Sequence, residues 1–89
     1  MNRDYKPLRN KEIVEKGVES EAVLYNKSTS SVHIMNRTAL QIWKLSDGKH
    51  TIDDIENNLK KIFKIPEKLN IFSDIEKTIS DLKENGLIH

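Results

Sequence analysis

Apolar residues in the first part of the chain occur in short runs that are rich in β-branched and aromatic side chains. These runs predict three strands at about residues 12–17, 20–26 and 31–35. The polar stretch between the second and third runs, residues 26–31, is typical of the turn that closes a hairpin. We therefore expect a meander of three short antiparallel strands.

After Met35 the apolar residues recur at intervals of three and four, which is the period of a helix. Asn36 is a good N-cap for a first helix, and Asp47-Gly48 predicts its end because glycine readily takes the left-handed conformation. Thr51 is the N-cap expected for a second helix. The pattern thus predicts two helices that directly follow the strands.

The second and third predicted helices each carry an apolar stripe. The second ends before Pro66, while the third, at about 74–85, begins with Ser73 and Glu76 at capping-box spacing and closes at Gly86. The stripes consist of Ile52, Ile55, Leu59, Ile62 and Phe63 in the second helix and of Ile75, Ile79 and Leu82 in the third. Because such stripes usually face a core, both helices are expected to pack against the rest of the domain.

The order of the predicted elements indicates the fold class. Three strands followed by three helices predict an α+β fold in which the helices cover one face of a small three-stranded antiparallel sheet. The same elements, in permuted order, match the winged helix-turn-helix outline. We expect a single domain over residues 13–89, preceded by a flexible N-terminal lead-in over residues 1–12.

Composition limits the classes of function. The 89 residues carry 15 basic and 14 acidic side chains, so the net charge is +1, without the basic excess that nucleic-acid binders usually show. Cysteine is absent, which excludes disulfide scaffolds, thiol nucleophiles and zinc sites built on thiolates. No apolar run has the length of a membrane span or the pattern of a signal peptide, so we expect a cytoplasmic protein.

Candidate catalytic groups are scattered along the chain. His33, His50 and His89 fall in a predicted strand, a turn and the C-terminus, and none has a metal-ligand spacing. The adjacent carboxylates Asp53 and Asp54 fall in the first turn of a helix, where capping explains them. We therefore expect no enzyme, no metal and no cofactor.

A DNA-binding hypothesis rests on a lysine cluster near the end of the second helix. The cluster consists of Lys60, Lys61, Lys64 and Lys68. Lysines at that place also suit the helix dipole, and no aromatic residues interleave with them to stack on bases. The predicted recognition helix has a mixed, nearly neutral surface, which gives DNA readout little support.

A peptide-binding hypothesis rests on the third strand. If this strand lies at the sheet edge, its unpaired N–H and C=O groups can pair with an added strand. Val32 and Ile34 would lie on one face of the strand and Met35 on the other. The third helix could form the opposite wall of a groove, but its apolar residues could equally be ordinary core. The apolar floor would come from Ile75, Ile79 and Leu82.

The stretch from Met35 to Gly48, MNRTALQIWKLSDG, resembles the signature L-N-x-x-(A/G)-x-x-I-W-x-L-x-D-G of the PqqD-like family. Members of this family are peptide chaperones, also called recognition elements, of ribosomally synthesised and post-translationally modified peptide (RiPP) biosynthesis. Residues 51–55 look like the family's T-V-x-E-I helix start, and residues 73–88 resemble its closing D-V-x-x-F-(L)-x-x-L-x-x-x-G-L-(I/V). The likeness runs from about residue 13 to 88. Met35 and Ile79 stand where leucine is usual, and both changes conserve volume.

The resemblance implies a non-catalytic module that binds the leader segment of a precursor peptide by β-augmentation between the third strand and the third helix. The module would present the peptide to a separate modifying enzyme, such as a radical-SAM enzyme, a leader peptidase or a cyclase. In a lasso-peptide pathway the leader would carry a Tyr-x-x-Pro motif. Apart from the resemblance, a structural subunit or a homodimer through the same strand edge is a third alternative, compatible with peptide binding.

The resemblance also implies the positions of the peptide-binding residues. The pairing edge would be Val32, His33, Ile34 and Met35. The helical wall would be Phe72, Ile75, Glu76, Ile79 and Lys83. The signature residues Trp43, Asp47 and Gly48 have structural explanations instead, as a core aromatic and a helix stop.

Overall fold

The structure, a computed structural model, describes residues 1–18 and 21–89 and contains three strands followed by three helices. The strands are β1 (Ile13–Val18), β2 (Glu21–Asn26) and β3 (Val32–Met35). The helices are α1 (Arg37–Leu45), α2 (Ile52–Ile62) and α3 (Phe72–Glu84). This order confirms the predicted α+β fold. The strand bounds agree with the predictions to within one residue, except that the predicted start of β2 at Ser20 lies outside the described residues.

The strands form an antiparallel sheet in the order β1-β2-β3, which places β3 at one edge. The register pairs Leu24 of β2 with His33 of β3, so these two side chains share one face of the sheet. Because Leu24 is fully buried, this face is turned toward the helices, and Met35 lies on it as well. Val32 and Ile34 lie on the opposite face. The predicted division of the β3 side chains between the two faces is therefore confirmed.

The first two helices begin at the predicted caps. The Oδ1 atom of Asn36 accepts a hydrogen bond from the N–H of Ala39 at 2.8 Å. At the start of α2 the hydroxyl of Thr51 accepts from the N–H of Asp54 at 3.0 Å, and the Asp54 carboxylate accepts from the N–H of Thr51. A cap of this kind stabilises a helix by about 1 kcal/mol, which explains why local sequence was enough to locate both helix starts.

The chain turns between α1 and α2 at Asp47 and Gly48. The Oδ1 atom of Asp47 accepts hydrogen bonds from the N–H groups of Lys49 and His50, and Oδ2 lies 2.9 Å from Nδ1 of His50. Gly48 has a φ of +78°, and a Cβ added there would lie 3.1 Å from a side-chain carbon of Leu8. The left-handed backbone favours glycine, so the predicted stop of α1 is confirmed.

The predicted start of the third helix is wrong. Ser73 and Glu76 do not form a capping box, because α3 already begins at residue 72 with Ile71 in the N-cap position and no side-chain cap. The first backbone donors find other acceptors. The N–H of Phe72 donates to Oδ1 of Asn70 at 3.0 Å, and the N–H of Ile71 donates to a carboxylate of α2. The local acceptor Asn70 and the long-range acceptor Glu56 therefore take the place of the predicted capping box.

The core lies between the sheet and the helices. Trp43 is buried in it, and its Nε1 donates a hydrogen bond to the carbonyl of Leu87 at 3.1 Å, which confirms its structural role. Ile62 departs from the prediction: it is 48% exposed, because α2 ends there and Phe63 packs against the core instead. The buried apolar residues are Ile13, Leu24, Ile42, Trp43, Ile52, Ile55, Leu59, Ile75, Ile79, Leu82, Leu87 and Ile88.

The N-terminal segment also departs from the prediction. Residues 1–12 are expected to form a flexible lead-in, yet they run along α2, the α1–α2 connection and the C-terminus. The N–H of Ile52 donates to the carbonyl of Tyr5 at 3.0 Å, and the N–H of Gly48 donates to the carbonyl of Pro7 at 2.8 Å. Isolated bridges pair residues 8 and 9 with residues 47 and 88, and Pro7 is fully buried. Backbone hydrogen bonds hold this segment, and its polar side-chain pattern does not reveal them.

Candidate functional site

The main chain of β3 has one free edge. The N–H of Asn26 donates to the carbonyl of Ser31 at 2.9 Å, so the main-chain groups of residue 31 point toward β2. Alternate residues of an antiparallel strand direct their main-chain groups to opposite sides, so residues 33 and 35 also face β2. Within residues 1–18 and 21–89, no strand pairs with the outer side. The N–H and C=O groups of Val32 and Ile34 are therefore available to an added strand.

The side chains of β3 give this edge two different faces. Val32 and Ile34 are 59% and 68% exposed on the outer face of the sheet. His33 and Met35 are half-buried on the inner face, where Met35 packs against the core and Nε2 of His33 lies 3.3 Å from the hydroxyl of Ser31. A strand added at this edge would continue both faces and direct every second side chain toward the helices.

An apolar cavity of about 190 Å³ lies among the three helices, near the C-terminal end of β3. Thr38, one of its lining residues, follows the end of β3 by three positions, so the cavity is next to the C-terminal end of the strand. A cavity of about 150 Å³ is enough to hold a benzene-sized group, so this one can accept a single large apolar side chain. Its lining residues are Thr38, Ile42, Leu59, Ile65, Ile71, Asp74, Ile75 and Thr78.

The two flanks of α3 have different neighbours. Asp74, Ile75 and Thr78 line the cavity, and helical periodicity places Asp81 on the same flank as Asp74 and Thr78. We call the space between the free edge of β3 and this flank the groove, with the cavity as its floor. The opposite flank carries three of the predicted wall residues, Phe72, Glu76 and Lys83.

The N-terminal segment covers the flank opposite the groove. The guanidinium of Arg3 lies 4.3 Å from the centre of the Phe72 ring, and Nζ of Lys83 lies 4.3 Å from the centre of the Tyr5 ring. The carboxylate of Glu76 lies 2.6 Å from the N-terminal amino group. These three side chains are therefore engaged on the side of α3 that faces away from the groove.

The remaining predicted residues divide between groove and core. Ile75 lines the cavity, whereas Ile79 is fully buried in the core. Ile75 therefore lies at the cavity, and the four residues of β3 lie along the free edge. Phe72, Glu76 and Lys83 are not part of this arrangement.

A buried cluster of charges fixes the connection between α2 and α3. The side chains of Glu56 and Lys60 are each 8% exposed and lie 3.5 Å apart. Glu56 also accepts hydrogen bonds from Nη1 of Arg3 at 2.9 Å and from the N–H of Ile71 at 3.2 Å, while Nζ of Lys60 donates to the carbonyl of Glu67 at 2.7 Å. Burial alone would raise the pKa of Glu56, but the hydrogen bonds from Arg3 and Ile71 and the charge of Lys60 hold this pKa below its ordinary value.

The burial of Lys60 changes the lysine cluster on which the DNA-binding hypothesis rests. Its ammonium group points inward to Glu56 and to the backbone, so it is not available to a phosphate. Lys61, Lys64 and Lys68 are exposed. The position of Lys60, four residues after Glu56 on one helix face, explains why the two charges pair, and the structure weakens the DNA-binding hypothesis accordingly.

The sequence-based expectations omit the groove-side residues Thr38, Asp74 and Thr78. A signal for the α3 residues exists, because Ile71, Asp74, Ile75 and Thr78 follow one another at helical spacing. Because Asp74 and Thr78 are polar, this set does not stand out as an apolar stripe. The pattern also does not tell which side of the core stripe the N-terminal segment covers.

The histidine and acidic side chains decide whether the described residues can hold a metal ion. His33 lies beside Ser31 at the sheet edge, and His50 lies beside Asp47 in the α1–α2 connection. Residues 1–18 and 21–89 contain no group of three or more histidine, cysteine or acidic side chains that could hold a metal ion. Over the same ranges, every helix is too short or too polar to cross a bilayer.

The fold is similar to that of two solved structures. One is described as lasso peptide synthetase B1 complexed with the leader peptide, with a TM-score of 0.74 and 24% identity over 96% of this chain and 99% of that chain. The other is TbiB1 in complex with the TbiA(beta) leader peptide, with a TM-score of 0.73 and 14% identity over 92% and 94% of the two chains. At these identities the likeness establishes the fold.

Sequence comparison identifies the family. No curated protein matches the chain. The family model of coenzyme PQQ synthesis protein D (PqqD) matches residues 21–88, which is well over half of the chain and includes β2, β3 and all three helices. The resemblance that the motifs indicate is therefore confirmed, and the chain belongs to the PqqD family.

Proposed function

We propose that this chain is a non-catalytic module that binds the leader segment of a ribosomally made precursor peptide as a fourth strand along β3. The observation that carries the proposal is a free, apolar strand edge next to an apolar cavity. Main-chain pairing at such an edge gives affinity, and a pocket for a side chain gives selectivity. The proposal agrees with the two structural neighbours, both of which are complexes with leader peptides.

Each part of the groove has its own role in this proposal. The outward N–H and C=O groups of Val32 and Ile34 pair with the peptide main chain. The side chains of His33 and Met35, on the inner face, adjoin the peptide side chains that point toward the helices. Ile75 receives an apolar peptide side chain in the cavity. Phe72, Glu76, Ile79 and Lys83 support α3 from behind, by packing with the N-terminal segment or within the core.

The bound peptide is presented to a separate enzyme in the cytoplasm. A leader held on β3 raises the effective concentration of the attached core peptide at a modifying enzyme, such as a radical-SAM enzyme, a leader peptidase or a cyclase. Ordering a flexible peptide costs several kcal/mol, so we expect dissociation constants of about micromolar to tens of nanomolar. The module itself supplies no reacting group and no cofactor.

Hydrogen exchange tests the proposal directly. Short peptides that bind the chain are first selected from a random display library. With a selected peptide at saturation, the exchange rates of the Val32 and Ile34 amides should fall at least about tenfold, because these amides become hydrogen-bonded. The amides of His33 and Met35, which already face β2, serve as internal controls and should change little. Failure to select any peptide, or protection that spares Val32 and Ile34, would overturn the proposal.

A further inference from the structure

Charge is distributed unequally over the two walls of the groove. The four residues of β3 include no carboxylate, lysine or arginine. The groove flank of α3 carries the carboxylates of Asp74 and Asp81, both exposed. These two residues are seven positions apart, which corresponds to about 10 Å along a helix axis. Thr78, between them, donates its hydroxyl hydrogen to the carbonyl of Asp74 and leaves both carboxylates unengaged.

The fold gives Asp74 a favourable place at the start of α3, but it gives Asp81 none. In the part of the chain that the structure describes, neither Asp74 nor Asp81 forms an ion pair or accepts a side-chain hydrogen bond at its carboxylate, and Lys77 pairs with neither of them. Asp74 lies in the first turn of α3, where the helix dipole favours it. Asp81 lies in the last turn, where the dipole opposes a negative charge. Its charge therefore costs helix stability.

We infer that the groove selects a cationic peptide, one in which lysine or arginine side chains that face α3 meet Asp74 and Asp81 while a large apolar side chain enters the cavity. The inference rests on the proposed function and adds the chemistry of the ligand. Side chains two positions apart in a strand point the same way and lie about 7 Å apart. An apolar residue in the cavity thus places the next inward side chain within reach of a carboxylate.

Charge also distinguishes the peptide from other occupants of the edge. A second copy of this chain, paired through its own β3, would bring no lysine or arginine from that strand to the carboxylates. The net charge of the protein is only +1, so the protein as a whole does not attract basic peptides. Enrichment of basic residues in bound peptides would therefore report on the local charge of the groove.

Parallel selections from a random peptide library test the inference. One selection uses the wild-type chain and the other the double variant Asp74→Asn/Asp81→Asn. We expect the wild type to enrich lysine and arginine near a large apolar residue, and the double variant to keep the apolar preference but lose the basic one. Equal enrichment of basic residues by both proteins, or by neither, would overturn the inference.

Affinity measurements on one selected peptide complete the test. Its dissociation constant should rise about three- to tenfold in the double variant and rise with added salt, as expected for partly exposed charge pairs. Asp4→Asn is the control for charge loss elsewhere, because it removes a negative charge from the N-terminal segment, away from the groove, and it should leave the affinity unchanged. The proposed function has its own test, the variant Ile34→Pro, which removes the N–H donor at the strand edge. If Ile34→Pro leaves peptide binding intact, the proposed function is wrong. If Ile34→Pro abolishes binding while the double variant binds like the wild type, only the inference falls.

Discussion

The backbone N–H of Ile71 donates a hydrogen bond to Oε2 of Glu56 at 3.2 Å, across the connection between α2 and α3. Ile71 lines the cavity, so a carboxylate of α2 helps to hold one wall of the groove in place. The same carboxylate lies 3.5 Å from the ammonium group of Lys60, the other buried charge of this cluster. Glu56 therefore links the stability of the domain to the shape of its groove.

Replacing Glu56 with glutamine should lower the free energy of unfolding by about 2 kcal/mol, because Lys60 would stay buried without its counter-charge. Urea unfolding at neutral pH measures this loss. Asp53→Asn is the control: Asp53 pairs with the same Arg3, but its side chain is 57% exposed, so its loss should cost less than about 0.5 kcal/mol. Equal costs for the two variants would contradict the structural role of Glu56.

Three carboxylates have pKa values that the fold lowers. Burial alone would raise the pKa of Asp47, but hydrogen bonds from the His50 ring and from two backbone N–H groups outweigh it and lower this pKa. Hydrogen bonds from the N–H and hydroxyl of Thr51 lower the pKa of Asp54 from its ordinary value of 3.8. The pKa of Glu56 is lowered from 4.5, since the bonds from Arg3 and Ile71 outweigh its burial.

Acid should therefore destabilise the domain. A carboxyl group with a lowered pKa in the folded state contributes stability above its unfolded pKa and loses it as the pH falls through the folded value. We expect the free energy of unfolding to decline as the pH drops below about 4.5, and urea unfolding over a pH series would measure it. Asp47→Asn should be less stable than the wild type at neutral pH and approach it in acid. A constant difference would contradict the contribution of Asp47.

Ile34→Pro should abolish peptide binding without unfolding the domain. The N–H of Ile34 faces the free edge, so proline removes a donor to the peptide and spares the ladder to β2. Fluorescence anisotropy with a selected peptide should show a loss of about tenfold or more relative to Ile34→Ala, which keeps the N–H. His33→Pro should instead destabilise the sheet, because residue 33 pairs with β2. Equal affinity in Ile34→Pro and Ile34→Ala would contradict strand addition.

Thr78→Phe should block the cavity from within. The added ring occupies the space that is proposed to receive an apolar peptide side chain, so affinity should fall about ten- to a hundredfold while the thermal unfolding midpoint changes little. Ser80→Phe adds the same ring at an exposed position of α3 and should leave affinity unchanged. The idea that the cavity anchors the peptide would be untenable if Thr78→Phe bound as tightly as Ser80→Phe.

Local signals were enough to predict most of the fold. Asn36 and Thr51 cap the helices that follow them, and alternation along β3 assigns its side chains to the correct faces. The errors arise where distant residues meet. Arg3 reaches Glu56 across 53 positions, which turns the expected lead-in into part of the domain. The N–H of Ile71 donates to the same Glu56 at the start of α3, where the local pattern predicts a capping box at Ser73 instead.

The site was predictable in part. Strand order makes β3 an edge, as the meander predicts, and Ile75 lies in the cavity. The groove flank of α3 could not be chosen from sequence, because residues on both sides of the core stripe have helical spacing. Only the packing of Arg3 and Tyr5 on the opposite flank distinguishes the two.

The shortness of β3 has a consequence for how a precursor is aligned. Four residues offer an incoming strand the main-chain groups of Val32 and Ile34 alone, and those groups pair with any sequence. A slip by one position would turn every inward side chain of the peptide outward. The hydrogen bonds to two residues are too few to prevent such a slip. Under the proposed function the cavity prevents it, because only one alignment seats the large side chain. The cavity would then set the register of the leader, and with it the distance that the core peptide extends toward the enzyme that modifies it.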